Sequence, residues 1–146
     1  MNGRAERQPI ERESTTMLRM SSTPRPGTIT WHDLTVADAA QLRDFYQAVV
    51  GWAPQPLGMG EYTDFLMRAG DEDVAGVCHA RGANADLPPQ WLLYITVADI
   101  DASLAECERL GGHALTPVRS YGGGRYCVIQ DPAGAVCALY QAPSAA

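Results

Sequence analysis

The sequence predicts an α+β fold made of two successive βαβββ modules. Three observations predict it. Thr35-Val36-Ala37-Asp38 recurs 61 residues later as Thr96-Val97-Ala98-Asp99. Each copy follows a run rich in β-branched and aromatic residues and precedes an apolar pattern of helical period. Each helical pattern is then followed by three short strand-like runs set apart by turn residues. A four-residue match alone is weak, and the agreement of both flanks makes it a repeat.

The elements follow in order. Thr28 to Leu34 (TITWHDL) reads as the first strand. Asp38 and Gln41 form a capping-box signal, the carboxylate accepting from free backbone N–H groups. Leu42, Phe45, Tyr46, Val49 and Val50 then fall on one helical stripe, which Gly51 ends. Strand-like runs follow at Ala53–Leu57, Glu61–Arg68 and Asp73–Ala80. In the second module Trp91 to Ile95 is the strand, and Asp99 or Asp101 caps the helix. Ile100, Leu104, Cys107 and Leu110 form its stripe, and Gly111-Gly112 ends it. Runs follow at His113–Ser120, Arg125–Gln130 and Ala135–Gln141, with Asp131-Pro132-Ala133-Gly134 as a hairpin turn. Module one is thus 27–80, a polar linker 81–90 and module two 91–141, one domain over 27–141. Residues 142–146 are a short tail. Residues 1–26 mix charge, serine, threonine and proline and are expected to be disordered. Met17 and Met20 are each read as a candidate start besides Met1.

Composition excludes several functions. The 146 residues carry 17 acidic and 11 basic side chains, a net charge of −6, and every basic residue is arginine. Without lysine there is no Schiff-base chemistry and no GxxxxGK phosphate loop. An acidic chain without a basic run is a poor nucleic-acid ligand. No stretch approaches the ~20 apolar residues of a membrane span, and the first twenty residues contain no signal-peptide core. Cys78, Cys107, Cys127 and Cys137 form no CxxC pair, so reduced thiols in the cytoplasm are the expectation.

The duplicated module, with DFYQAVVGW after the first cap and DPAGAVCALYQ near the end, resembles the vicinal oxygen chelate superfamily. That superfamily includes glyoxalase I, extradiol dioxygenases, fosfomycin-resistance enzymes and bleomycin-binding proteins. The resemblance covers 27–141. It implies a paired open barrel around a cavity, the glyoxalase/bleomycin resistance-like fold, and a homodimer. It also implies four strand positions that hold a divalent metal in the family's enzymes. Carried onto this chain, those positions are Trp31, Gly76, Leu92 and Ala138. None can coordinate, since divalent metals need imidazole, carboxylate, amide or thiolate donors. The expectation is therefore a site with no metal and no other cofactor.

Side chains alternate across a strand, so the cavity wall can be assigned. If the helices cover Leu34, Leu93, Ile95, Val97 and Leu139, the opposite face carries Trp31, Asp33, Thr35, Leu92, Tyr94, Thr96, Ala138 and Tyr140. Gly76 and Cys78 join it from the fourth strand. Such a wall suits a small molecule, and the small residues at 76 and 138 leave room. Asp33 reads either as a general base with a raised pKa or as a carboxylate that caps a neighbour or faces water. Tyr94 and Tyr140 read as hydrogen-bond donors to an oxyanion or as wall packing. Trp31 stacks on a ligand or packs. Cys78 is a nucleophile or a small buried thiol, and the adjacent His79 points to the other face. His32 is expected under the first helix, His113 at the surface, and the 81–90 linker as a solvated connection or a lid.

The favoured functional expectation is a metal-independent small-molecule binder. The alternatives are a lyase or isomerase using Asp33 with Tyr94 or Tyr140, and a metal-dependent glyoxalase-like enzyme with displaced ligands.

Overall fold

The computed structural model describes residues 24–144; the reading of 1–23 as a tail lies outside them, as do 145 and 146. A βαβββ module and a second in which one strand is split in two, βαββββ, form one nine-stranded mixed sheet with two α-helices among the described residues. Module one contains β1 (Ile29–Val36), α1 (Ala39–Val50), β2 (Ala53–Gly58), β3 (Thr63–Ala69) and β4 (Glu72–His79). Module two contains β5 (Trp91–Thr96), α2 (Ile100–Arg109), β6 (His113–Ala114), β7 (Arg119–Tyr121), β8 (Gly124–Gln130) and β9 (Val136–Gln141). The strand order is β2-β3-β4-β1-β5-β9-β8-β6, with β7 also on β8. In each module the first strand lies parallel to the last, β1 to β4 and β5 to β9.

The modules meet where β1 runs antiparallel to β5. Trp31 pairs with Tyr94 and Asp33 with Leu92. The repeat maps residue 31 onto 92 and 33 onto 94, so a pseudo-two-fold axis passes between these two pairs.

Capping fixes both helix starts. The Asp38 carboxylate accepts from the Gln41 N–H at 3.1 Å, and Asp99 accepts from the N–H groups of Asp101 and Ala102. Gly51 ends α1 at φ 77°, a left-handed conformation in which its N–H reaches the Gln47 carbonyl. Residues 131–135 form the expected turn, closed by Asp131 Oδ1 on the N–H groups of Ala133 and Ala135.

Three expectations fail. The run 113–120 is not one strand: Pro117 has no N–H to give the ladder, and Thr116 turns its hydroxyl to the Val128 N–H at 2.9 Å. It divides into β6 and β7. The α1 stripe is only half covered: Leu42 and Tyr46 pack on the sheet, while Phe45, Val49 and Val50 are exposed. His32 and its register partner Leu93 are also exposed rather than covered by a helix.

The FY and GW residues that carry the family resemblance have a structural role. Tyr46 stacks on Trp52 at 5.6 Å and accepts from Trp91 Nε1 at 3.0 Å, which joins α1 to the start of β5. Packing then divides by face. Leu34, Phe65, Met67 and Val77 lie under α1, and Ile100, Cys127 and Leu139 join α2 to its strands. On the opposite face Trp31, Leu66, Leu92, Tyr94, Val128, Ala138 and Tyr140 form one cluster.

Candidate functional site

A cavity of about 240 Å³ opens on the face of the sheet away from the helices. That is a little under the usual range for small-molecule sites. Six of the ten predicted wall residues line it: Trp31, Asp33, Thr35, Gly76, Cys78 and Tyr94. The other four share the face but not the space. Leu92, Thr96, Ala138 and Tyr140 are all buried, and the Thr96 hydroxyl is 3.4 Å from that of Thr30. No room opens at Ala138, which is fully buried in one cluster with Tyr140; the Tyr140 ring lies over Gly124, where a Cβ would come within 2.6 Å of its hydroxyl oxygen. That hydroxyl is buried without a hydrogen-bond partner and does not reach the cavity.

The room expected at Gly76 is also taken, by a different group. A Cβ at 76 would collide with Asp33 Oδ1, so the glycine is what admits that carboxylate. Asp33 is held there by Trp31 Nε1 at 2.7 Å, by the Tyr94 hydroxyl and by the Gly76 backbone. Burial pushes its pKa above the ordinary carboxylate value. The donors pull it back, and the charge of Asp64 pushes it further up.

Asp64 is a wall residue that the sequence reading missed. It is buried on β3, accepts from the His79 N–H at 2.9 Å and is also raised by burial. Its signal was available: in Asp64-Phe65-Leu66-Met67, alternation puts Asp64 and Leu66 opposite the helix-covered Phe65 and Met67. Tyr126 and Val128 of β8, Leu57 of β2 and Met59 just after it, and Arg119 and Tyr121 of β7 were missed as well. The linker contributes Asn84 and Leu87, so it forms part of the wall rather than a detached connection. Arg81 stands at the rim, its guanidinium 4.3 Å from the Tyr62 ring.

The chemistry of the site narrows accordingly. Burial and the neighbouring carboxylates push the Cys78 thiol well above its usual pKa, which favours the protonated thiol over the nucleophilic thiolate. Burial and Asp33 likewise hold Tyr94 as a phenol, able to donate. All four cysteines are free.

The donor set does not fit the metal that the fold family implies. Position 76 offers no side chain, 92 and 138 offer alkyl groups, and the Trp31 N–H is spent on Asp33. Among the described residues no three His, Cys, Asp or Glu side chains converge on a point. His32 and His113 are exposed; His79, expected on the face opposite Cys78, also lines the cavity and packs edge-on to Tyr62.

Comparison with known proteins agrees with the fold. The glyoxalase-like domain model matches residues 30–140. The chain belongs to that family, within the vicinal oxygen chelate superfamily. CFP32 of Mycobacterium tuberculosis, provisionally named a glyoxylase, is 36% identical over 124 residues, covering 81% of this chain and 47% of its own length. The anthracycline biosynthesis protein DnrV of Streptomyces peucetius is 33% identical over 110 residues, covering 75% of this chain and 40% of its own. The chain thus spans half or less of the curated relatives it matches. Methylmalonyl-CoA epimerase from Mycobacterium tuberculosis superposes with a TM-score of 0.51 at 16% identity, covering 86% of this chain and 96% of its own. At that identity the likeness shows the fold alone. No helix among the described residues is long and apolar enough to cross a membrane.

Proposed function

We propose that this protein is a small-molecule binder that works without a metal, and that its ligand lies against Asp33, Tyr94 and the Trp31 wall. One observation carries the reading. The space where a ligating side chain at 76 would stand is filled by the Asp33 carboxylate, anchored at 2.7 Å by Trp31. The donors that face the cavity are therefore suited to hydrogen bonding with an organic ligand. A thermal-shift panel of small aromatic compounds tests it, since binding to the native state raises Tm. Shifts that persist unchanged in EDTA are expected. Shifts that appear only with added Ni, Zn, Fe or Mn would contradict the reading.

A second reading is favoured by the contact between Asp33 and the Tyr94 hydroxyl. A carboxylate with a raised pKa beside a phenol is a proton-transfer pair, suited to a lyase or isomerase. Asp33 would accept a proton from carbon, and Tyr94 O–H would donate to the developing oxyanion. Solvent deuterium entering a bound ligand, and ceasing in Asp33→Asn, supports this reading. No exchange in the native protein removes it.

The cytoplasm remains the proposed location, in keeping with the four free thiols. A homodimer is proposed with it, in keeping with the exposed Phe45, Val49 and Val50. A monomer at sedimentation equilibrium would remove the homodimer.

A further inference from the structure

We infer that Arg119 forms an anion-binding subsite in the cavity, so that the occupant is a small aromatic molecule carrying an anionic oxygen group. The inference rests on the binder reading and names the chemical class of its ligand.

Arg119 begins β7 and lines the same cavity as Asp33. It is half-buried, and among the described residues no carboxylate lies within salt-bridge distance of it. Four other arginines are neutralised: Arg43 by Asp44, Arg68 by Asp73, Arg109 by Glu106 and Arg125 by Asp101. Arg81, at the rim, is placed over the Tyr62 ring. A half-buried guanidinium without a counter-charge keeps both its charge and its donors available to a ligand. An anionic ligand supplies that counter-charge, and the planar fork of arginine matches a carboxylate with two parallel hydrogen bonds.

The position of Arg119 also departs from the repeat. In module one, β2 is a continuous strand of six residues paired with β3. In module two, Pro117 and Thr116 break the corresponding run, and the separate β7 puts Arg119 opposite Tyr126, another wall residue. The break thus brings a cation onto the module-two side of a cavity whose module-one side carries Asp33 and Asp64. A ligand bound there has a direction. Its anionic end lies on Arg119, its ring against the aromatic wall, and a hydrogen-bonding group toward Asp33 and Tyr94. The cavity of about 240 Å³ limits the enclosed part to a one- or two-ring body.

Two probes of one ring system separate charge from shape: 2-naphthoate and 2-naphthamide, titrated calorimetrically into the full chain. Naphthoate is expected to bind about tenfold more tightly, the scale of a hydrogen bond to a charged group, and the advantage should shrink with added salt. Arg119→Gln should abolish the advantage by weakening naphthoate far more than naphthamide, and Arg119→Lys should keep part of it. Equal affinity of the two probes in the native protein, or an unchanged ratio in Arg119→Gln, overturns the anion subsite and leaves the binder reading standing. If neither probe binds, the binder reading falls and the subsite falls with it.

Discussion

The two modules repeat the same backbone but treat their inner faces in opposite ways. In module one Gly76 and Cys78 are small, and the face stays open around Asp33 and Asp64. In module two the matching positions are Ala138 and Tyr140, and Tyr140 fills the space with a fully buried ring. The repeat matches Asp33 with Tyr94 and Trp31 with Leu92, so both carboxylates of the cavity come from module one while module two supplies Tyr94 as the hydrogen-bond partner of Asp33. A duplicated module can thus keep its fold in both copies while the two copies contribute unequally to one shared cavity: module one leaves small residues at 76 and 78, and module two packs the matching positions.

That contrast can be broken most forcefully at Tyr140. Replacing it by alanine should cost about 3–5 kcal/mol, the range for losing a large buried aromatic with little collapse, read from urea denaturation. A cost under about 1 kcal/mol would mean the ring is not what holds module two shut. Gly76→Ala attacks the open side. Its Cβ collides with Asp33 Oδ1, so a loss of about 1–3 kcal/mol is expected from overpacking, together with loss of any ligand that needs Asp33. Retention of both stability and binding would show that Asp33 has room elsewhere.

Asp33→Asn sharpens the comparison through pH. The native pKa of Asp33 is raised above its ordinary 3.8, so between the two values the folded chain holds more protons than the unfolded one. Stability contributed by this group therefore falls as pH rises from about the ordinary value to the raised one, and is level above it. The asparagine variant should lack that decline and should be more stable than the native protein at pH 7. An unaltered pH profile would show that burial does not hold the proton on Asp33. The smallest effect belongs to Tyr140→Phe. Removing a buried hydroxyl that has no partner should leave stability unchanged or raise it by up to about 1 kcal/mol. A clear loss would reveal a partner for that oxygen.

The repeat was legible because it is local. Asp38, Gly51 and the Asp131 turn act within a few residues, and strand alternation assigns faces without knowledge of the partner strand. The faces of Trp31, Asp33, Gly76 and Cys78 followed from period two alone. Alternation does not say whether a face is open, because that depends on volumes brought together from distant strands. Tyr140 closes its half by lying over Gly124, sixteen residues away in sequence and on the neighbouring strand β8. Asp64 and Arg119 escaped for a different reason. They lie on strands with no counterpart among the family's metal positions, and Arg119 reaches the cavity only because Pro117 interrupts its strand. The α1 stripe was read too widely, since a helix resting on a sheet buries a narrower arc than its sequence pattern offers, and Phe45, Val49 and Val50 fall outside it.

The central claim is that Asp33, held in the space beside Gly76, has taken the place of a metal-binding side chain. The most direct measurement is the metal content of the full chain, expressed natively and purified without chelator, by inductively coupled plasma mass spectrometry. The account predicts nickel, zinc, iron and manganese all well below one equivalent per chain, unchanged in Asp33→Asn. One equivalent of any of them, lost in Asp33→Asn, would contradict it.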